Sequence, residues 1–538
     1  MTDPVNLPDP LPADAAVLER LAAGFRGRGE LLPALRLYDR LIDLGVATAA
    51  TWCAAGEALT ELGEFAQAVG AYEQSLRRQP DNAEAQHELG RVLYRLGDPD
   101  RAAEHLEQSA RLCDLVHPWL SLATIIPGCP SANPERILDV RRTFASRLAD
   151  QAPTQELDRR PAAAAGRLRV GYLSAHFALP HYMRPVWGLI NQHDRAAFEV
   201  HLLADSPAGA GLPGYIPHPA DRIRGTADLS NDELAELIRE AGIQILVDLS
   251  GYSAPERLPL FTRHVAPVTI AWFNAYATMG LPGFDYLVGD ERVVADGEER
   301  YFSERILRLP ISYLSFAAPS SAPPLVPPPC LDNHELTFGS LVAQYKITPP
   351  VLDAWAEILR RTAGTRLLLA NAALRSPHNR QYVRERFAER GVGAERLVLE
   401  GPAEHFAYVE KYNRIDLALD AFPYNGGTTT MEAIWQGVPV LTFPGDRWAS
   451  RTSHSLLRGT ALESFVAADL RGYVDLAVGL ARDAATPARL ADLRQHLRGS
   501  LQRSPVCDVR TLARSMERLY QAVGSRTPSP PGGFGGRG

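Results

Sequence analysis

Cysteine is scarce in this chain of 538 residues: there are five, at positions 53, 113, 129, 330 and 507, and no two share a CxxC or other ligand-like spacing. A zinc site or a disulfide framework is therefore not expected, and a reducing compartment suits this usage. Charge of one sign is also lacking. The 63 acidic and 56 basic residues leave a net charge of -7, too small to indicate nucleic acid or an anionic membrane as partner. No uninterrupted apolar run approaches membrane length. The opening MTDPVNLPDPLPADAA has neither the basic start nor the apolar core of a signal peptide, so a cytoplasmic protein is expected. There is no GxxxxGKS or GxxxxGKT loop, and no glycine fingerprint is read at a strand-to-helix turn, which weakens P-loop and dinucleotide-oxidoreductase readings. What remains, 46% hydrophobic and 22% charged, is ordinary for a globular chain and excludes a disordered one. The length predicts about three domains.

The first third carries a period of 34. Gly29, Gly63 and Gly97 stand in turn-like contexts, followed at the same spacing by Ala34, Ala68 and Ala102, and by Tyr38, Tyr72 and Leu106. Gly56 and Gly90 repeat it again, and Trp52 with Pro80 completes the middle unit. The pattern resembles the tetratricopeptide repeat. Small Gly56 and Ala68 let two helices approach, Tyr72 fills the groove between them, and Pro80 stops the second helix. Repeats are expected at about 15–48, 49–82 and 83–116, the first degenerate, forming a curved solenoid over 15–120. Such a solenoid usually holds another polypeptide; the alternative is a plain helical bundle. A helical connector is placed at 121–166.

From about 167 the pattern changes to short β-branched runs alternating with helical stretches. The strand candidates are 167–176, 198–205, 245–250, 268–273 and 286–291, in a first lobe over 167–317. A Pro-rich stretch, APSSAPPLVPPPCLDN, supplies a linker at 318–334. A second series follows at 336–342, 366–371, 396–401, 417–422 and 439–445, in a second lobe over 335–520. Continuous apolar strands separated by helices predict parallel sheets covered on both faces. The expected fold is thus a helical solenoid followed by two Rossmann-like α/β lobes, with a ligand cleft at the carboxyl ends of the strands. The final segment, 525–538, reads as a disordered tail.

The chemistry collects in DAFPYNGGTTTMEAIWQGVPVLTFPGDRWASR (420–451). A strand ends at Phe422, and Asn425, Gly426 and Gly427 lead into Thr428, Thr429 and Thr430 at the start of a helix. Free N–H groups there, with three hydroxyls, suit a diphosphate; simple N-capping by threonine is the alternative. Glu432, just inside the helix, is placed to accept hydrogen bonds from a ribose diol. Arg451 is expected as a structural ion-pair partner.

That segment, together with LVAQYKITP (341–349) and RLRVGYLSAHF (167–177), resembles the O-linked N-acetylglucosamine transferases and their bacterial and plant SPINDLY-type relatives. The resemblance covers about 15–520. It implies tetratricopeptide repeats joined to a two-lobed GT-B glycosyltransferase. The donor it implies is UDP-N-acetylglucosamine, bound mainly by the second lobe, and the acceptor is a serine or threonine hydroxyl of a protein. No metal and no cofactor are expected. The reaction inverts the anomeric carbon and needs positive potential for the departing diphosphate, shelter for the sugar cation and a route for the acceptor proton.

Under the resemblance, Lys346 is the candidate for the β-phosphate, with Gln344 and Tyr345 as weaker site candidates; Ala343 replaces an amide usual in the family. For the proton, His176 is preferred at the end of the first strand, with His181 behind it. Water, a donor phosphate oxygen or a carboxylate such as Asp248 is the alternative. Residues 400–416 match the uracil- and ribose-contacting loop: Ala403 by its backbone, His405 at a ribose contact, and Tyr408 where a base-packing histidine is common. The implied activity is protein O-GlcNAc transfer. The alternatives are a GDP-fucose-dependent protein O-fucosyltransferase and a nucleotide-sugar-binding scaffold without turnover. Deleting residues 1–120 is expected to spare nucleotide binding and to weaken protein acceptors.

Overall fold

The computed structural model describes residues 11–151, 166–207, 209, 211–319 and 321–524. Eight helices come first: α1 (Ala15–Gly27), α2 (Leu31–Asp43), α3 (Ala49–Glu61), α4 (Phe65–Arg78), α5 (Ala83–Leu96), α6 (Pro99–Leu112), α7 (Val116–Ile125) and α8 (Pro134–Gln151). They stack as consecutive pairs. A Cβ on Gly56 would stand 2.7 Å from the Tyr72 ring, and one on Gly90 would stand 2.8 Å from Leu106 Cγ. The small residue is thus what lets each pair close. Ala22 takes that place in the first pair and is fully buried. Gly29, Gly63 and Gly97 turn the chain at φ of 75°, 78° and 93°, a region L side chains rarely enter. The helices α7 and α8 extend the stack by a fourth pair that carries none of the repeat's signature residues.

The first repeat has a small core of its own around Leu18, Phe25, Leu37 and Tyr38, whereas the second and third join the main core. The second and third repeats are fastened to the second lobe. Glu64 accepts hydrogen bonds from Ser376 Oγ (2.5 Å) and pairs with His378 (2.9 Å), and Asn379 bonds both Gly63 O and Ala66 N. The turn after α5 lies directly on the second lobe.

Two parallel sheets follow. The first contains β1 (Leu168–Ser174), β2 (Phe198–Ala204), β3 (Arg222–Gly225), β4 (Ile245–Asp248), β5 (Val268–Ala271), β6 (Tyr286–Asp290) and β7 (Arg305–Leu309), in the order β3-β2-β1-β4-β5-β6-β7. The second contains β8 (Thr337–Ser340), β9 (Arg366–Ala370), β10 (Leu397–Glu400), β11 (Leu417–Leu419) and β12 (Val440–Leu441), ordered β10-β9-β8-β11-β12. The central strands are buried along their length, Ile245–Asp248 and Val268–Ala271 completely so, which is why they read as unbroken apolar runs. The edge strands β3 and β7 were not expected. Arg222–Gly225 is exposed throughout, and only Leu309 of Arg305–Leu309 is buried, so neither has the continuous apolar signal of a central strand.

The last helix, Val509–Gly524, leaves the second lobe and packs on the first. His193 joins it there, 2.6 Å from Tyr172 Oη and 3.0 Å from Glu517 Oε1, while Tyr172 donates to Tyr520 at 3.1 Å. Gly209, Gly211 and Gly214 have GxGxxG spacing, yet they lie in the loop from β2 to β3 and open no helix, so they lack the context of a dinucleotide site. The linker stretches across the second lobe, where Gln436 donates to Pro323 O (3.2 Å) and Pro324 O (3.1 Å). The expected tail, 525–538, lies outside the described residues, as does 152–165 of the connector. Among the described residues no helix is long and apolar enough to cross a membrane.

Candidate active site

In each sheet the strand order reverses beside the first strand of its lobe, between β1 and β4 and between β8 and β11. Loops leaving such neighbours diverge and open a crevice. Those loops hold His176 and Ser250–Ser253 in the first lobe, and Lys346 and the Asn425-Gly426-Gly427 turn in the second.

Lys346 ends a short turn, Gln344–Lys346. Its ammonium donates to Asn425 O at 2.7 Å and sits 3.8 Å from the centre of the Tyr424 ring, a cation–π contact. Burial lowers its pKa to about 8, opposed by the carboxylate of Asp420. Asp420 in turn shapes the glycine turn: its Oδ1 accepts from Gly426 N (2.8 Å) and Ala421 N (3.0 Å), and its Oδ2 from Thr442 (2.8 Å). A Cβ on Gly426 would stand 2.5 Å from Thr430 Oγ1 and 2.7 Å from Thr429 Oγ1, so only glycine admits the hydroxyls folded over it.

The helix Thr428–Trp435 starts at Gly427 with no side-chain cap. Threonine capping is thus not what the structure shows, and the helix start faces the crevice. The three hydroxyls part company: Thr430 is buried against Ser453 Oγ at 2.9 Å, while Thr428 and Thr429 stay partly exposed.

Beyond that helix a cleft of about 200 Å³ lies between the lobes, lined by His181, Arg184, His405, Phe406 and Glu432 among others. The rings of His181 and His405 stack across it, 3.4 Å apart and 11° from parallel. Arg184 donates to His181 Nδ1 at 3.2 Å, and His405 Nε2 lies 3.4 Å from Glu432 Oε1. Glu432 is 5% exposed, that oxygen has no hydrogen-bond partner, and burial raises the carboxyl to about 7 against the pull of Arg184. Burial, with His181 beside it, lowers His405 to about 4. Ala403 is exposed in the loop before the helix His405–Glu410. Tyr408 donates to Leu341 O, so its hydroxyl is committed to the end of β8.

His176 stands apart from this cleft. Its Nε2 is 3.0 Å from Ser253 Oγ, and its ring meets Tyr182 edge-on at 5.4 Å. Ser253 donates its own proton to Ser250 O, so it receives the Nε2 proton and leaves Nδ1 as the basic nitrogen. Burial holds the imidazole below its ordinary range, with Glu256 pulling the other way. Tyr182 donates to Asn274 and packs at 5.2 Å on Phe273, a non-glycine residue at φ 71°. Strain of that kind concentrates at functional sites. Asp248 lies below, 2% exposed, accepting from Ser250 N and Gly251 N.

Two weaker candidates turn elsewhere. Gln344 donates to Leu96 O (3.3 Å) and accepts from Asn371 (3.2 Å), so its amide is committed to the contact with the repeats. Tyr345 stacks on Tyr94 of α5 at 5.0 Å. Arg451 makes two bonds, 2.6 and 2.9 Å, to Glu298 of the first lobe, the structural pair expected of it.

Both sheets with their cleft loops match one family model, glycosyl transferase family 41, over residues 148–316 and 330–516. The chain belongs to glycosyl transferase family 41. A tetratricopeptide-repeat model matches residues 53–114. The chain is similar to an O-GlcNAc transferase of Thermobaculum terrenum, solved as a lysine-to-methionine mutant, at 31% identity and a TM-score of 0.79, over 95% of this chain and 98% of that one. It is 34% identical over 300 residues to the "Probable UDP-N-acetylglucosamine--peptide N-acetylglucosaminyltransferase SPINDLY" of Oryza sativa subsp. japonica, covering 55% of this chain and 32% of the relative. It is 23% identical over 483 residues to the "UDP-N-acetylglucosamine--peptide N-acetylglucosaminyltransferase" of Caenorhabditis elegans, covering 68% and 41%. The chain spans about a third of the length of the SPINDLY relatives it matches. Two residues of this family 41 chain escaped the sequence reading, Arg184 and Asp420. Asp420 was legible as the charged end of an apolar strand, whereas Arg184 had no local signal.

Proposed function

We propose that this chain is an inverting protein O-GlcNAc transferase, moving N-acetylglucosamine from UDP-N-acetylglucosamine to serine or threonine hydroxyls without a bound metal. One observation carries the reading: the enclosed ammonium of Lys346 is fastened to Asn425 O beside an uncapped helix start. Together these supply the positive potential that a departing diphosphate needs. The second lobe takes the donor, with phosphates at Thr428 and Thr429, the ribose diol at Glu432 and His405, and the base against Tyr408 and the Ala403 backbone. The first lobe and the repeats take the acceptor. Five free cysteines support a reducing, cytoplasmic setting.

The acceptor oxygen attacks the anomeric carbon from the face opposite the diphosphate. Its proton passes to Nδ1 of His176 as the bond to the leaving oxygen breaks, and the electron pair left on that oxygen is met by Lys346. His181, stacked on His405, borders the nucleoside instead. Titration calorimetry with UDP, GDP and their sugars, followed by transfer to protein, tests the reading. UDP preference with transfer is expected. GDP preference would overturn the donor assignment, and tight UDP binding without transfer would leave only a binding scaffold.

A further inference from the structure

We infer that the third repeat is part of the donor site, with Tyr94, Leu96 and Gly97 acting as positioning residues for the turn that carries Lys346. The inference rests on the role proposed for that lysine.

The three repeat glycines make the comparison. Gly29, Gly63 and Gly97 occupy the same place in the period and share a left-handed backbone. A Cβ on Gly29 or Gly63 would meet nothing within 4 Å. On Gly97 it would stand 2.4 Å from Ile347 O and 2.9 Å from Gln344 O, the carbonyls on either side of Lys346. Two further contacts bind the same turn. Leu96 O accepts from Gln344 Nε2 at 3.3 Å, and the Tyr94 ring stacks on Tyr345 at 5.0 Å, 23° from parallel. Tyr345 leans on Tyr424 at 6.0 Å, and the Tyr424 ring carries the ammonium.

A continuous line of contacts therefore runs from α5 through residues 344–347 to Lys346 and on to the Asn425 carbonyl. The turn has little support of its own, being only three residues long. Charge stabilisation at a leaving group depends on placement, and a shift of about 1 Å costs on the order of 100-fold. The repeat is the surface against which that placement is held.

The experiment uses the full chain and the fact that it contains two lysines, Lys346 and Lys411. Protein labelled with 13C at lysine Cε gives two side-chain signals, assigned with Lys411→Arg. Gly29→Ala carries the backbone strain alone and serves as control for Gly97→Ala, which adds the contact; Tyr94→Leu removes the stack without a backbone change. Gly97→Ala and Tyr94→Leu are expected to move the Lys346 signal and its titration midpoint while Lys411 stays still. They should lower kcat by about 10- to 100-fold with far smaller changes in UDP affinity. A Lys346 signal and kcat matching those of Gly29→Ala in both variants would overturn the inference. If the parent chain transfers no sugar, the proposed activity fails, and the lysine signals decide this inference separately.

Discussion

Lys346 and Glu432 are buried charges of opposite sign, and each makes a distinct prediction. Lys346→Ala should lower kcat by about 100- to 1000-fold and leave the melting temperature near that of the parent, as paired assays and thermal melts would show. The pKa of about 8 places the basic limb: kcat/KM should fall as the pH rises through about 8, where the ammonium loses its proton. On the acid side the fall should come only below 6.5, because the His176 imidazole titrates beneath its ordinary value. Glu432 works against the fold that holds it. Its carboxyl is raised from 4.5 to about 7, so the native state binds its proton more tightly than the unfolded chain does. The penalty is absent below 4.5, grows as the pH climbs, and reaches about 3 kcal/mol above 7. Glu432→Gln should therefore raise the melting temperature at pH 8 and leave it unchanged at pH 4, while weakening UDP binding about 10-fold. A variant that loses affinity without gaining stability at pH 8 would show that the carboxylate is already compensated in the empty site.

Among the elements, the helix Thr428–Trp435 and its glycine turn were legible from one segment, because a strand end, an Asn-Gly-Gly turn and a run of hydroxyls are local facts. What each hydroxyl does was not legible: Thr430 turns inward because Ser453, more than twenty residues away, meets it there. Gly426→Ala should reduce UDP affinity by about 10-fold or more, since displacing Thr429 and Thr430 disturbs the helix start proposed to take the phosphates; calorimetry reads this directly. The central strands could be read because burial on both faces makes them continuous apolar runs. The edge strand Arg222–Gly225 was missed because its side chains are exposed and its only evidence is the pairing with β2. The last helix, Val509–Gly524, looked like the end of the second lobe; its return to the first lobe depends on His193 and Glu517, 324 residues apart. Glu517→Ala should destabilise the fold by about 2 kcal/mol, measurable by denaturant unfolding.

At the scale of the whole molecule, the three-part plan was present in the sequence as a 34-residue period and two strand series. The fit between the parts was not, because it is made of contacts more than 240 residues apart, such as Gln344 with Leu96 and Asn379 with Gly63. A chain beginning at residue 121 should consequently bind UDP far more weakly than the full chain and melt at a lower temperature; unchanged affinity on calorimetry would restore the picture of independent parts. The separate core of the first repeat bears on how such an array changes over descent. Here the second repeat is bonded to residues 376–379 and the third to residues 344–347, so a gain or loss at either would break an established seam. Change in repeat number is therefore expected to concentrate ahead of Ala49, where α3 begins.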